Sequence, residues 1–139
     1  MTQYLLDTNV VSELRRSRPD PAVAAWFDSI GRADTVLSVL TIGEIHQGVL
    51  RLARRDPKQA EALADWLTAL QRGYADRILP ITAAVSRRWA ELNAARPLPV
   101  VDSLIGATAL EHGAVLATRN TGDLEGSGVP MVNPFNQPA

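Results

Sequence analysis

Four acidic residues, Asp7, Glu44, Asp102 and Asp123, have the type and the placement to do chemistry together. Asp7 directly follows Tyr4-Leu5-Leu6, a short apolar run that predicts a strand. Asn120 and Asp123 come within a few residues of a second such run, Ala114 to Thr118. Glu44 lies in the first turn of a helix predicted to open at Thr41, just after a strand expected over Val36 to Val39, and Asp102 begins a predicted helix after Val100-Val101. In a mainly parallel sheet these positions converge on the rim beyond the carboxyl ends of the strands, where α/β sheets take their ligands. Carboxylates gathered there repel one another and raise each other's pKa. A divalent cation removes that cost. Oxygen donors without thiolate and with little imidazole favour magnesium, or manganese in its place, over zinc. Such an ion can polarise a phosphodiester and activate a water, so phosphodiester hydrolysis is the expected reaction.

Each acid also has a purely structural reading. Asp7 and Asp102 could be helix N-caps, Glu44 could close a capping box with Thr41, and Asp123 could be a turn residue in Asn120-Thr121-Gly122-Asp123. Their joint placement favours the chemical reading, because a single sheet direction brings all of them to one rim.

The elements needed to position them can be read along the chain. Expected strands cover Tyr4 to Leu6, Val36 to Val39, Arg77 to Ile81, Ala114 to Thr118 and Val129 to Val132. Expected helices cover Thr8 to Arg16, Pro21 to Ser29, Thr41 to Arg54, Pro57 to Arg72, Ala83 to Ala95 and Asp102 to His112, the third and fourth as an amphipathic hairpin. Short strands alternating with longer helices predict an α/β sandwich with a mainly parallel central sheet, crossed by right-handed connections.

Composition narrows the function classes. A length of 139 residues suits one domain spanning 1–139, with no repeat or linker. No apolar run approaches the roughly 20 residues that cross a bilayer, and the N-terminus lacks the basic region of a signal peptide. The absence of cysteine excludes disulfides, thiolate zinc sites and cysteine nucleophiles, and suits a reducing cytoplasm. Two histidines, His46 and His112, leave little for a zinc centre or a Ser-His-Asp triad. The net charge of −1 gives no bulk attraction for a polyanion. Local patches remain open, since all but one of the 14 basic residues are arginine, Lys58 being the exception. Arg15 and Arg16 head one cluster that could meet phosphate or a partner, or simply form a solvated helix face.

The sequence resembles the PIN-domain ribonucleases, and within them the VapC toxins of bacterial toxin-antitoxin pairs. The resemblance runs over nearly the whole chain. Its marks are Leu5-Leu6-Asp7-Thr8-Asn9-Val10-Val11-Ser12-Glu13, Ser38 to Glu44 with Ile45 and Gly48, Val101-Asp102-Ser103-Leu104-Ile105-Gly106-Ala107-Thr108-Ala109, and Ala117-Thr118-Arg119-Asn120-Thr121-Gly122-Asp123-Leu124. The resemblance implies a three-layer α/β/α fold, a metal site of Asp7, Glu44 and Asp102, and direct magnesium ligation by Asp7 and Asp102. It implies a fourth position for which Asn120 and Asp123 compete, and hydroxyls at Thr8 and Thr118 that support the site. It further implies RNA as substrate, a homodimer, and a cognate antitoxin that places a basic side chain in the acidic pocket. Trp26-Phe27 and the helices around Leu50 and Trp66 are candidate dimer or antitoxin surfaces, with core packing as the alternative for Trp66 and Trp89. Two rivals stand beside this reading. A phosphatase of the haloacid dehalogenase type would want a second aspartate where Asn9 stands. A catalytically degenerate module would bind RNA or a partner protein without cutting.

Overall fold

Side chains on successive residues of a strand point to opposite faces of its sheet, and three short strands show what that does here. Leu6, Leu37 and Ala117 pack into one buried cluster; their neighbours Leu5, Val36 and Leu116 pack into another. The computed structural model describes residues 1–136. It contains β1 (Tyr4–Leu6), α1 (Thr8–Arg15), α2 (Pro21–Ile30), β2 (Thr35–Ser38), α3 (Val39–Ala53), α4 (Pro57–Gly73), β3 (Ile78–Leu79), α5 (Ala83–Ala95), α6 (Val100–His112), β4 (Val115–Ala117) and β5 (Met131–Val132). Val10, Val23, Ile45 and Leu67 bring α1 to α4 onto the first face, and Ile105 and Ala109 bring α6, with Leu92 of α5, onto the second. The result is the expected three-layer sandwich.

The sheet runs β3-β2-β1-β4-β5, and every pair is parallel. The chain therefore builds outward from β1 through β2 to β3, then returns past β1 to add β4 and β5 on the other side. This reversal falls between β1 and β4, where the loops leaving the two strands diverge and open a crevice. Leu6 pairs with Ala117, so Asp7 and Thr118 emerge side by side at that crevice.

Several boundaries differ from the sequence expectation, and two of them bear on the site. Helix α3 starts at Val39 rather than Thr41, because the Ser38 side chain accepts a hydrogen bond from the Leu40 amide at 3.0 Å and caps it. The Thr41–Glu44 capping box does not form. Thr41 is wholly buried, and Glu44 lies inside the helix, not at its start. Helix α6 starts at Val100, which places Asp102 in its first turn and not at its cap. The third and fifth strands shrink to two residues each, the third ending at Leu79, before Pro80, which has no amide hydrogen to offer a ladder. A 3-10 turn over Thr121–Leu124 follows β4 where the sequence suggested only a loop. Among the described residues no helix is long and apolar enough to cross a membrane.

Because Ser38 joins β2 to the helix carrying Glu44, removing its hydroxyl leaves a buried helix end without its cap. Ser38→Ala is expected to lower stability by about 0.5–2 kcal/mol, read as an earlier midpoint in urea unfolding. An unchanged midpoint would show that the cap contributes nothing.

Candidate active site

Asp7 extends β1 by one residue, its amide donating to the Ala117 carbonyl at 2.9 Å. The residue is only 6% exposed, so its carboxylate needs protein partners in place of water. It has them. Oδ1 accepts from the Thr8 amide at 2.8 Å, which caps α1, and Oδ2 accepts from the Thr118 hydroxyl at 2.7 Å and from Asn9 Nδ2 at 3.4 Å. The N-cap reading of Asp7 is thus correct without displacing the chemical one, since capping occupies one oxygen and orients the other.

Thr118, buried at the end of β4, also accepts from the Asn120 amide at 3.0 Å. Asn9 Oδ1 accepts from the Arg119 amide at 3.1 Å. Asn9 and Thr118 together fasten the chain leaving β4 to the chain leaving β1 across the crevice. On the α3 side, the Thr8 hydroxyl lies 3.1 Å from the buried Thr41 hydroxyl and donates a short hydrogen bond to Glu44 Oε1. Thr8 therefore sets where the Glu44 carboxylate sits.

Asp102 reports the company it keeps. Its pKa is raised above the ordinary carboxylate value, first by burial, then by the negative charges of Asp7, Asp123 and Glu44, and last by a side-chain hydrogen bond with Asp123. All four predicted acids therefore act on one place. Of the two candidates for the fourth position, Asp123 meets Asp102 through its side chain, carried there by the unforeseen 3-10 turn, while Asn120 is exposed and supports Thr118 through its backbone. Asp102 gains some compensation from the first turn of α6, where the helix dipole favours negative charge.

The donor set is carboxylate and hydroxyl oxygen throughout, which suits a hard cation. Among the described residues no three acidic or imidazole groups stand close enough to form a complete metal cage. The two findings agree once the ranges are compared: Coulomb fields reach across several ångströms of a crevice, whereas coordination needs about 2.0–2.1 Å, and magnesium is usually held by one or two carboxylates with waters filling the rest.

Arg15 and Arg16 lie at the far end of α1, about 12 Å along the helix from Asp7. Arg16 pairs with Glu13 at 3.1 Å, and the Arg15 guanidinium stands 5.6 Å from the Trp66 ring centroid, at a groove of about 430 Å³ between α1, α2 and α4. Of the aromatic pair proposed as a surface, Trp26 is core, edge-on to Tyr4 at 5.4 Å, while Phe27 and Trp66 line the groove. Trp89 is half-buried and donates to Ser103 Oγ at 3.1 Å. Sequence reasoning missed Asn9, Thr41 and Arg119 as parts of the site. The position of Asn9, two residues beyond an aspartate that ends a strand, was the available signal.

A parallel sheet that gathers four acids beside its point of reversal defines a class of protein, and the comparisons agree with it. The chain belongs to the PIN domain family, whose pattern matches residues 4–125. It is similar to the VapC ribonuclease Y4jK of Sinorhizobium fredii, 36% identical over 94% of this chain and 96% of that protein. It is also similar to the toxin FitB of Neisseria gonorrhoeae, 34% identical over 95% of this chain and 98% of that protein. Among solved structures, FitAcB from Neisseria gonorrhoeae matches with a TM-score of 0.89 at 33% identity, covering 97% of this chain and 100% of that one.

The raised pKa of Asp102 fixes the sign of a stability effect. The folded chain holds the proton more tightly than the unfolded chain, so folding is favoured where Asp102 is protonated and that advantage is lost as pH rises through the folded-state value. In metal-free buffer near neutrality, Asp102→Asn is therefore expected to melt at a higher temperature than wild type. The difference should vanish as pH falls into the range where Asp102 is protonated. A variant less stable at neutral pH would contradict this electrostatic account.

Proposed function

We propose that this protein is a magnesium-dependent endoribonuclease, the toxin of a type II toxin-antitoxin pair, held inactive by a cognate antitoxin. The observation that carries the proposal is the joining of Asp7 and Glu44 through Thr8 at the reversal point of the sheet, with the negative charges of Asp7, Glu44 and Asp123 all bearing on Asp102. A ribonuclease and a toxin among the relatives that match over nearly the full chain support RNA as the substrate and a toxin's role. Assembly as a homodimer and action in the cytoplasm belong to the same reading.

In this reading Asp7 and Asp102 hold the cation directly, Glu44 completes the acidic set, and Asp123 takes the fourth position with Asn120 in support. Bound magnesium, or manganese in its place, supplies Lewis acidity toward a phosphodiester and offsets the gathered negative charge. The chain's own groups do the positioning. Thr118 and Asn9 hold Asp7 Oδ2 at the crevice, so this carboxylate reaches its working position without a search over rotamers. Thr8 does the same for Glu44. Arg15 and Arg16 remain proposed RNA or antitoxin contacts, Arg15 by its place on the groove.

Both rivals fare worse. Asn9 spends its side chain on Asp7, Thr118 and the Arg119 amide, which leaves a phosphatase of the haloacid dehalogenase type without its general acid. A module that only bound RNA would gain nothing from clustered carboxylates, which repel phosphate unless a cation lies between them.

Asp7→Asn is expected to lower RNA cleavage by about a hundredfold or more with circular dichroism unchanged. Excess EDTA should abolish wild-type cleavage, and added magnesium or manganese should restore it. Mapping cut sites on total RNA, with wild type beside the variant, reads both. Equal cleavage by Asp7→Asn, or full cleavage in EDTA, would overturn the proposal.

A further inference from the structure

Arg119 is the basic side chain that leaves β4 at the crevice, one residue after Thr118, which hydrogen-bonds Asp7. Its backbone is fixed there, the amide donating to Asn9 Oδ1 at 3.1 Å, and the next amide donating to Thr118 Oγ1 at 3.0 Å. The side chain is exposed, yet it is ordered by stacking, with the guanidinium carbon 3.9 Å from the centroid of the Phe135 ring. The platform beneath it is itself anchored. Phe135 packs against the core formed with α1 and α2, and its amide is held by Asn133 Oδ1 at 3.0 Å.

The other arginines with described partners are used differently. Arg16 and Arg88 spend their charge on Glu13 and Glu111, Arg77 and Arg96 donate to backbone carbonyls, and Arg15 and Arg32 lie over Trp66 and Tyr74 beside the distant groove. Arg119 has no carboxylate partner among the described residues, although four acids share its rim. Beyond the Phe135 ring, the guanidinium donates to no acceptor among the described residues, which leaves its N–H donors available. That planar fork matches two oxygens of a phosphate.

We propose that Arg119, whose backbone is fixed where the chain leaves β4 next to Thr118 and whose guanidinium lies over Phe135, binds a phosphate of the RNA backbone and so sets the strand against the acidic crevice. The proposal rests on the nuclease reading above. It gives the acidic site what it lacks, a fixed positive charge that draws in a polyanion the carboxylates would turn away. The contact is to backbone, so it positions the substrate without reading sequence.

The test uses a short labelled RNA spanning a cleavage site mapped with the wild-type protein, with initial rates taken over a series of KCl concentrations. Arg119→Ala is expected to raise KM about tenfold with kcat within about threefold, and to lower the slope of log KM against log salt by about 0.7. Arg119→Lys should restore the slope but recover only part of KM, because an ammonium cannot fork. Phe135→Leu should raise KM less and leave the slope unchanged. An Arg119→Ala variant with wild-type KM and slope overturns the proposal. So does a variant whose loss follows a lowered melting temperature at unchanged slope, which would make Arg119 a brace for the C-terminal turn. A wild-type protein that cleaves no RNA would instead remove the nuclease reading on which the proposal stands.

Discussion

Repulsion between carboxylates that the sheet forces onto one rim is the constraint around which this molecule is built. For scale, two like charges about 4 Å apart at an effective dielectric near 20 oppose each other by about 4 kcal/mol, against a typical net stability of roughly 5–15 kcal/mol. A domain of this size tolerates such a cluster only if most of it stays near water. The distribution of exposure follows that rule. Asp7 alone is buried, fully supplied with hydrogen-bond donors, while Glu44 and Asp123 are exposed and Asp102 is intermediate. The strain that remains shows at Asp102, whose proton is held more tightly than usual.

Much of this was legible in the sequence, for identifiable reasons. A strand followed at once by an acid, as in Leu5-Leu6-Asp7, fixes both the element and the rim on which the acid emerges. The order of short apolar runs and longer amphipathic segments was enough for an α/β sandwich with a mainly parallel sheet, because right-handed crossovers leave few alternatives, while its three layers came from the family resemblance. What failed was local competition between nearly equivalent caps. Ser38 and Thr41 both suit an N-cap, and the choice fell to Ser38 because β2 ends there and Thr41 is needed, buried, against Thr8. That Asp123 rather than Asn120 would reach Asp102 was also out of reach, since it depends on a 3-10 turn that packs Leu124 into the core and turns the preceding aspartate toward α6. Arg119 went unnoticed for a related reason: its stacking partner Phe135 lies far along the chain, beyond any local pattern.

The site divides into a rigid half and a compliant half. Asp7, Asn9 and Thr118 are locked to one another and to the β1–β4 ladder, so the first carboxylate is in place before any ligand arrives. Asp102 and Asp123 stand on helix turns nearer water, with like charges pushing them apart, while Thr8 ties Glu44 to the rigid half. Positive charge held at Asp7 would offset the repulsion that contributes to the raised pKa of Asp102. The same repulsion makes the crevice a concentration of negative charge, complementary to any basic group brought to it.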